Sequence, residues 1–529
     1  MSDLIHEFIL QQAMQAPHAL ALSYQGRQLS YEALAREIES IASAWTGSGL
    51  RRIERVAVYA EKREEAVVAL FGTAAAGGVF VPINPLLKPE QVAYILQDCN
   101  VSILVTTSER LISLADVLPG CRDLRTIVVA GAIHQEAPSF AGMDVVTWDA
   151  LTAVGRASRH RVIDRDMAAI LYTSGSTGKP KGVVLSHRNL VAGAKSVAGY
   201  LENTCDDRIL AVLPLSFDYG LSQLTTAFYS GATAVLMNYL LPRDVVAAVR
   251  DERITGLAAV PPLWIQLARQ AWPDNSSLRY ITNSGGAMPR TTLDALRAAL
   301  PTAKVYLMYG LTEAFRSTFL PPSELDRRPD SIGRSIPNAE VMVVRDNGMP
   351  CGPNEPGELV HRGALVSLGY WNDPEKTAER FKPVPSVVDG LVIPEIAVWS
   401  GDTVSMDEEG FLYFMGRADD MIKVSGYRVS PTEVEDVILA TGTVEEVAAI
   451  GVPHPTLGQA IVAVVHCSDA AVAPDVLIKA CRHRLPGYMV PVRVDVRRES
   501  LPRNPNGKID RKALRAELTV SVDQEFLNE

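Results

Sequence analysis

Apolar runs of four to six residues, each closed by a turn, alternate with amphipathic stretches through most of the first 310 positions. Arg55–Ala60, Val79–Ile83, Ser102–Thr106 and Thr126–Ala130 read as strands, with Arg63–Ala75 and Glu90–Asp98 helical among them. The rhythm resumes at Arg208–Val212, Thr233–Met237, Gly256–Val260, Arg279–Asn283 and Lys304–Met308. Helices are expected there at Pro242–Glu252, Pro262–Ala271 and Arg290–Leu300. Strands that are apolar throughout and separated by helices belong in a largely parallel sheet covered on both faces. The pattern therefore predicts an α/β chain whose larger part holds two layered α/β subdomains. From about Gly333, shorter alternating runs such as Glu340–Val344 and Glu358–His361 predict a β-rich subdomain. A boundary falls near Gly416–Asp420. A separate α+β unit of about 110 residues follows, with strands at Met421–Val424, Val447–Val452 and Ala460–His466 and helices at Pro431–Leu439 and Pro474–Arg484. The expected domains are 1–417 and 418–529. Ser30, ahead of Tyr31-Glu32-Ala33-Leu34, is the expected cap of an early helix.

Between the two α/β halves lies Thr173-Ser174-Gly175-Ser176-Thr177-Gly178-Lys179-Pro180-Lys181-Gly182, after the apolar run Ala168–Leu171. Three glycines, two lysines and four hydroxyls in ten residues suit a loop that wraps polyphosphate. Glycine lets backbone N–H groups approach oxygen, hydroxyls donate, and lysine supplies charge. Pro180 follows Gly178-Lys179 where a Walker A loop requires Ser or Thr, so that motif is excluded. A helical pattern is expected from about Leu190.

The net charge of −10 argues against general nucleic-acid binding but leaves room for a local nucleotide site. Six scattered cysteines without a Cys-x-x-Cys pair fit a reducing compartment and give no zinc site. The N-terminus carries acids where a secretory signal carries a basic region. The longest charge-free run, Ala66–Leu87, is broken by Gly77-Gly78, Pro82 and Pro85, which fits a buried helix and strand better than a membrane span. A cytoplasmic protein is expected.

Four further segments carry polar groups at strand ends or in turns. Tyr309-Gly310-Leu311-Thr312-Glu313 ends a buried strand, where α/β sheets place ligands. Glu313 suits a hard cation such as Mg²⁺, and equally suits the first turn of a helix capped by Thr312. Asn283-Ser284-Gly285-Gly286-Ala287 is a second glycine-rich turn, open enough for a flat base. Ser400-Gly401-Asp402 places a carboxylate where it could hold ribose hydroxyls or merely stabilise a turn. Lys508, in Asn506-Gly507-Lys508, is alone one surface lysine among many.

Taken together, Thr173–Gly182, Tyr309–Glu313, Gly401-Asp402, Gly416–Arg428 and Asn506–Lys508 resemble, in order and spacing, the adenylate-forming superfamily. That superfamily includes AMP-forming acyl-CoA synthetases, nonribosomal adenylation domains and luciferases. The resemblance implies a large N-terminal domain and a small mobile C-terminal one. It also implies activation of a carboxylate with MgATP to an acyl-adenylate, release of pyrophosphate, and transfer to a thiol. On that reading Thr173, Ser174, Gly175, Ser176, Thr177, Gly178, Lys179 and Lys181 hold the β- and γ-phosphates. Tyr309 stacks on adenine, which Gly285, Gly286 and Ala287 line, and Gly310 also belongs to the nucleotide site; Thr312 binds the α-phosphate, Glu313 ligates Mg²⁺, and Asp402 and Arg417 hold ribose. Lys508 bridges the substrate carboxylate and the α-phosphate, Asp419 is the hinge, and Gly426 lines the pantetheine tunnel. One preorganised donor of this kind typically contributes about 10²–10³ in rate. Val398-Trp399-Ser400 departs from the pattern, because many relatives have an aromatic, an Arg and a Thr there.

Substrate choice is expected to rest on Leu215-Ser216-Phe217-Asp218-Tyr219-Gly220. Adenylation domains that select amino acids carry Asp at the position of Asp218, whereas many fatty acyl-CoA synthetases carry a His in this segment. A carboxylate in an apolar pocket needs a cation or hydrogen-bond donors, so an amino or imino acid is the expected substrate. A fatty or other organic acid is the alternative, and Asp218 as a satisfied structural carboxylate is the plainer reading. Tyr219, Ser222, Val260, Ile281, Asn283, Met308, Arg316 and Ser317 complete the pocket by analogy. The nearest resemblance is to exosortase-associated acyl-CoA ligases and to stand-alone amino-acid adenylating enzymes. The acceptor is expected to be CoA or the phosphopantetheine of a separate carrier protein.

Overall fold

The computed structural model describes residues 2–131, 140–152, 159–173, 180–274, 276–384, 394–417, 420–424, 427–454, 457–467, 472–485, 487–504 and 507–525. Its contacts divide the chain into two compact units. One joins Met1–Val341 with His361–Val398, and the other joins Met342–Val360 with Trp399–Glu529.

The first unit holds the expected pair of α/β layers. One seven-stranded sheet runs in the order Asp144–Thr147, Thr126–Ala130, Val101–Thr107, Arg55–Tyr59, Val79–Pro82, Met167–Thr173, Lys181–Ser186. It is parallel except at its last pair. The second sheet has a parallel centre of Thr233–Leu236, Arg208–Ala211, Gly256–Ala259, Tyr280–Asn283 and Lys304–Tyr309. Direction then reverses, and Thr318–Leu320 pairs antiparallel with Lys304–Tyr309.

Helices Tyr31–Gly47, Glu64–Ala76 and Asp218–Ser230 share one apolar cluster with Val56, Val58 and Ile103 of the first sheet and Ile209, Ala234 and Leu236 of the second. Within Glu64–Ala76 every residue except Glu65 is buried, as an all-round apolar helix requires. Gly72 allows it to approach Tyr31–Gly47, since a Cβ there would stand 2.6 Å from Ile41 Cγ2. Ser30 caps Tyr31–Gly47 by accepting the Ala33 N–H at 3.2 Å, as its sequence position suggested.

Two local readings differ from the sequence expectation. Lys181–Ser186 is a strand, and the next helix starts at His187 rather than near Leu190. Ser186 and Asn189 form a reciprocal cap there: the Asn189 N–H donates to Ser186 Oγ at 3.2 Å and the Ser186 N–H to Asn189 Oδ1 at 2.8 Å. Asn is absent from the usual capping-box signature, which hid the start. The N-terminal strand Leu20–Tyr24 also lies beside Thr233–Leu236, so the second sheet takes its edge from the start of the chain.

In the second unit, residues 402–406 pair antiparallel with Leu412–Arg417. A further sheet runs Tyr427–Val429, Ile422–Val424, Gly458–His466, Glu446–His454, with Arg493–Arg497 parallel to Gly458–His466. Pro431–Leu439 and Pro474–Arg484 are helical with the expected bounds. Among the described residues, no helix is long and apolar enough to cross a membrane.

The start of the chain is fastened by two buried histidines. The Ile5 N–H donates to His187 Nδ1 at 3.2 Å, and the His6 and His187 rings meet edge-on at 6.1 Å. Burial pushes His187 down to about 4; burial, with the neighbouring His187, pushes His6 down to about 3. The unfolded chain takes up protons near the ordinary histidine value of 6.5, while the folded chain resists until far lower pH. The stabilisation is complete above that value and is lost as pH falls towards 4. The urea midpoint is therefore expected to be flat above neutrality and to drop between about pH 6.5 and 4, with a shallower drop in His187→Gln.

Candidate active site

Where Lys304–Tyr309 ends, the chain turns through Gly310–Ser317 and returns as Thr318–Leu320, with Tyr309 opposite Thr318. Gly310 makes the turn tight, because a Cβ there would lie 3.1 Å from Arg316 Cα. Thr312–Ala314 is a single 3₁₀ turn. Glu313 is half-buried, and its Oε1 accepts the Tyr370 hydroxyl at 2.6 Å. The Ser367 N–H donates to the Glu313 carbonyl at 2.9 Å. The other face of this cluster is cationic, with Lys181 Nζ 5.2 Å from the centre of the Tyr370 ring. The structure thus joins the glycine-rich segment to Glu313 through Tyr370.

Burial lowers the Lys181 pKa, and the charges of Lys376 and Arg380 lower it further, against the opposing pull of Asp373 and Glu313. A cation held among cations is relieved by a polyanion. Thr173 and Lys181 lie opposite each other in the strand pair, and Ser174–Lys179 between them lie outside the described residues. Among the described residues, no group of three or more His, Cys, Asp or Glu could hold a metal alone. The lone Glu313 carboxylate fits Mg²⁺, which keeps several waters and takes further ligands from substrate phosphates.

Tyr309 stacks on His361 with centroids 6.1 Å apart and planes 15° apart. Burial holds His361 down to about 3, so it is neutral at physiological pH. Gly285 (φ +83°), Gly286 and Ala287 form an exposed turn at the carboxyl end of Tyr280–Asn283. Asn283 Nδ2 braces that turn by donating to the Gly286 carbonyl at 3.0 Å. A Cβ at Gly285 would meet Val260 Cγ1 at 3.6 Å, so Val260 stands beneath the turn. The adjacent strand ends collect the segments expected to enclose adenine, as the rule for parallel sheets anticipates.

In the second unit Asp402 pairs in register with Arg417, which sets together the two residues expected to hold ribose. Asp402 is buried, and its N–H donates to Ser400 Oγ at 3.1 Å. The Ser400 hydroxyl donates to the Leu359 carbonyl at 2.6 Å, so this departure from the family pattern serves the local backbone. Lys508 is exposed on a loop whose backbone closes on Asn504: the Lys508 N–H donates to Asn504 Oδ1 at 3.1 Å, and the Asn504 N–H to the Lys508 carbonyl at 2.8 Å. Asp419 and Gly426 lie outside the described residues.

Asp218 is the first residue of helix Asp218–Ser230 and is half-buried. Its carboxylate has no hydrogen-bond or ion-pair partner among the described residues. Gly220 fixes its approach, since a Cβ there would overlap the Pro214 carbonyl at 1.9 Å. Tyr219 is buried and its hydroxyl hydrogen-bonds Thr282 Oγ1 at 2.6 Å, between Ile281 and Asn283. Arg316 lies with its guanidinium carbon 4.2 Å from the centre of the Tyr219 ring. Met308 accepts the Tyr200 hydroxyl at 3.0 Å, and the Arg316 charge acts on both Tyr200 and Tyr219. Tyr219, the Ile281–Asn283 strand, Met308 and Arg316 therefore form one neighbourhood. Ser317 is buried beside Arg316 in sequence, and Ser222 lies one turn beyond Asp218 on the same helical face.

Sequence reading missed Tyr370, His361 and Tyr200. Tyr370 had a signal, because Gly369-Tyr370-Trp371-Asn372 precedes the helix Pro374–Arg380 as a polar aromatic turn. His361 and Tyr200 sit within apolar strand and helix patterns and had none.

Residues 9–371 match the family described as AMP-binding enzyme, and residues 433–508 match the AMP-binding enzyme C-terminal domain. The chain is 32% identical to a long-chain-fatty-acid–CoA ligase of Salmonella typhimurium, covering 90% of this chain and 88% of that one. It is 31% identical over 97% of its length to part of a linear gramicidin synthase polypeptide of Brevibacillus parabrevis, the match taking in 6% of that protein. Its fold is similar to that of the o-succinylbenzoate CoA synthetase MenE of Bacillus subtilis, at 26% identity. The TM-score is 0.83 for the complex with the acyl-adenylate OSB-AMP, covering 96% of this chain and 97% of that one. It is 0.81 for the complex with ATP and a magnesium ion, covering 96% and 98%.

Tyr370→Phe removes the hydroxyl that orients Glu313 and leaves the ring beside Lys181. Outer partners of metal ligands typically contribute about 10–100-fold in metal affinity. The magnesium needed for half-maximal pyrophosphate exchange is expected to rise about tenfold, with little change in thermal stability.

Proposed function

The chain belongs to the AMP-binding enzyme family, and from that premise we propose that it activates an amino or imino acid and passes the acyl group to a phosphopantetheine thiol. As a member of the family it is an adenylate-forming ligase that uses ATP and Mg²⁺, with CoA or a carrier-bound phosphopantetheine as acceptor. The observation that carries the amino-acid reading is Asp218, a half-buried carboxylate at the start of a helix, without a partner among the described residues. An ammonium group supplies what that position lacks. The linear gramicidin synthase relative supports this choice. The fatty-acid–CoA ligase relative supports a second reading in which the acid is fatty, but the guanidinium of Arg316 against the ring of Tyr219, the residue next to Asp218, suits a fatty chain poorly.

In the proposed reaction a carboxylate oxygen attacks the α-phosphorus of ATP, a new O–P bond forms, and the bond to pyrophosphate breaks. Thr173–Lys181 holds the departing β- and γ-phosphates, Thr312 the α-phosphate, and Asp402 and Arg417 the ribose. Lys508 lies between the two anions as they approach, where a preorganised positive charge stabilises the transition state. Glu313 would hold Mg²⁺, whose charge would offset that of the phosphates. Residues 418–529 then turn about Asp419, and Gly426 lines the path by which the thiol displaces AMP. The acceptor partner is a separate carrier protein or free CoA, and the setting is the cytoplasm.

Asp218→Ala is expected to raise the KM for an amino acid by about 100-fold or more, in line with loss of a charged buried partner, while the KM for ATP changes little. Equal effects on both, or exchange with fatty acids alone across a panel of amino and fatty acids, would show that Asp218 is structural. Lys508→Ala is expected to abolish adenylate formation, measured by pyrophosphate exchange, while sparing thiol transfer from preformed adenylate. A parallel loss of both half-reactions would refute the proposed division of labour.

A further inference from the structure

Arg316 is the most unusual residue of the first unit. Its backbone adopts φ +80°, a left-handed conformation that costs an arginine strain and that persists at functional turns. Its side chain is only 2% exposed. Nε and Nη2 are enclosed and have no hydrogen-bond partner, and no carboxylate pairs with the group among the described residues. Among the described residues, the Tyr219 ring 4.2 Å away offers compensation. A cation–π contact offsets only part of the loss of water around a guanidinium.

The location is as informative as the missing partner. Arg316 closes the turn that begins with Tyr309 and Glu313, so its position is tied to the reaction centre by seven residues of chain. Tyr219 beneath it is adjacent to Asp218 and hydrogen-bonded to Thr282. A planar fork whose Nε and Nη2 donors have no partner is matched best by a carboxylate, which accepts two parallel N–H bonds.

We propose that the acid activated by this enzyme carries a second carboxylate, and that Arg316 is the residue that receives it. This rests on the reading of the Asp218–Tyr219 segment as substrate pocket. With an ammonium on Asp218, the substrate class becomes an acidic amino acid: one carboxylate is adenylated, the amine faces Asp218, and the far carboxylate meets Arg316. The charges then balance, because one buried cation and one half-buried anion each gain their counter-ion from the ligand.

The test is pyrophosphate exchange by the full chain with matched acids: aspartate and glutamate, asparagine and glutamine, succinate and glutarate, and butyrate and hexanoate. Exchange is expected with an acidic amino acid at least about tenfold above its amide, since a site built around a charged donor rejects the analogue that leaves it unpaired. Arg316→Met is expected to erase that preference through KM, leave the KM for ATP within about threefold, and leave the melting temperature unchanged or higher, because a buried unpaired charge has been removed. Arg316→Lys should restore part of the preference. Exchange with succinate or glutarate, insensitive to Asp218→Ala, would uphold Arg316 and overturn the ammonium reading. Absence of exchange with every dicarboxylate, or amides accepted as well as their acids, overturns the proposal. So does a lowered melting temperature in Arg316→Met with selectivity retained, which would assign Arg316 to packing on Tyr219.

Discussion

A helix buried on all sides has to be covered on all sides. Glu64–Ala76 is built almost wholly of Ala, Val, Leu, Phe, Gly and Thr, and it shares one cluster with strands from both sheets of the first unit. Removing that much apolar surface from water is the dominant favourable term available to the fold. Neither sheet alone can supply the cover. The two sheets therefore come as a pair, and Gly72 sets how closely the neighbouring helix approaches. The active-site segments inherit their frame from this packing, because they occupy the ends of strands whose other residues are fixed in the core. Tyr309, Asn283 and Thr173 each end a strand in this way.

Much of this was legible in the sequence. Strands that are fully buried carry continuous apolar runs, and Thr126–Ala130 falls where that pattern puts it, as the helices Pro431–Leu439 and Pro474–Arg484 fall where the helical pattern does. Local signals could not reveal which strands neighbour each other. Leu20–Tyr24 looks like any short strand, and only the structure shows it beside Thr233–Leu236. The same limit applied to the site. Glu313 could be read from its motif, but the hydroxyl that orients it comes from Tyr370, 57 residues later. Arg316 was one of several pocket positions suggested by analogy; the lack of a partner for its Nε and Nη2 inside the protein is a property of packing that a one-dimensional pattern does not carry.

The site is organised around charges that the protein leaves incompletely answered. Lys181 sits near Lys376 and Arg380, Asp218 is half-buried, and Arg316 has a ring for company where it would favour an anion. Folding alone would select against each arrangement, since neutral residues of similar volume would fit more cheaply. Such conflicts concentrate where a ligand resolves them. Tyr309 and His361 show the opposite strategy. There burial keeps the imidazole neutral, so the aromatic pair presents a surface without charge of its own.

The pairing of Leu20–Tyr24 with Thr233–Leu236 also has a consequence in time. Leu22 aligns with Ala234, so this strand, paired on one side with the nearby Arg27–Ser30, waits for its other partner more than 200 residues later. At typical synthesis rates of about 5–20 residues per second, that interval is about 10–40 s. By its end every strand of the first sheet, the last being Lys181–Ser186, has been made, whereas Gly256–Ala259, Tyr280–Asn283 and Lys304–Tyr309 of the second sheet have not. The molecule is therefore born asymmetrically. One half can condense as it is synthesised, and the other keeps an open edge until Thr233–Leu236 pairs with Leu20–Tyr24.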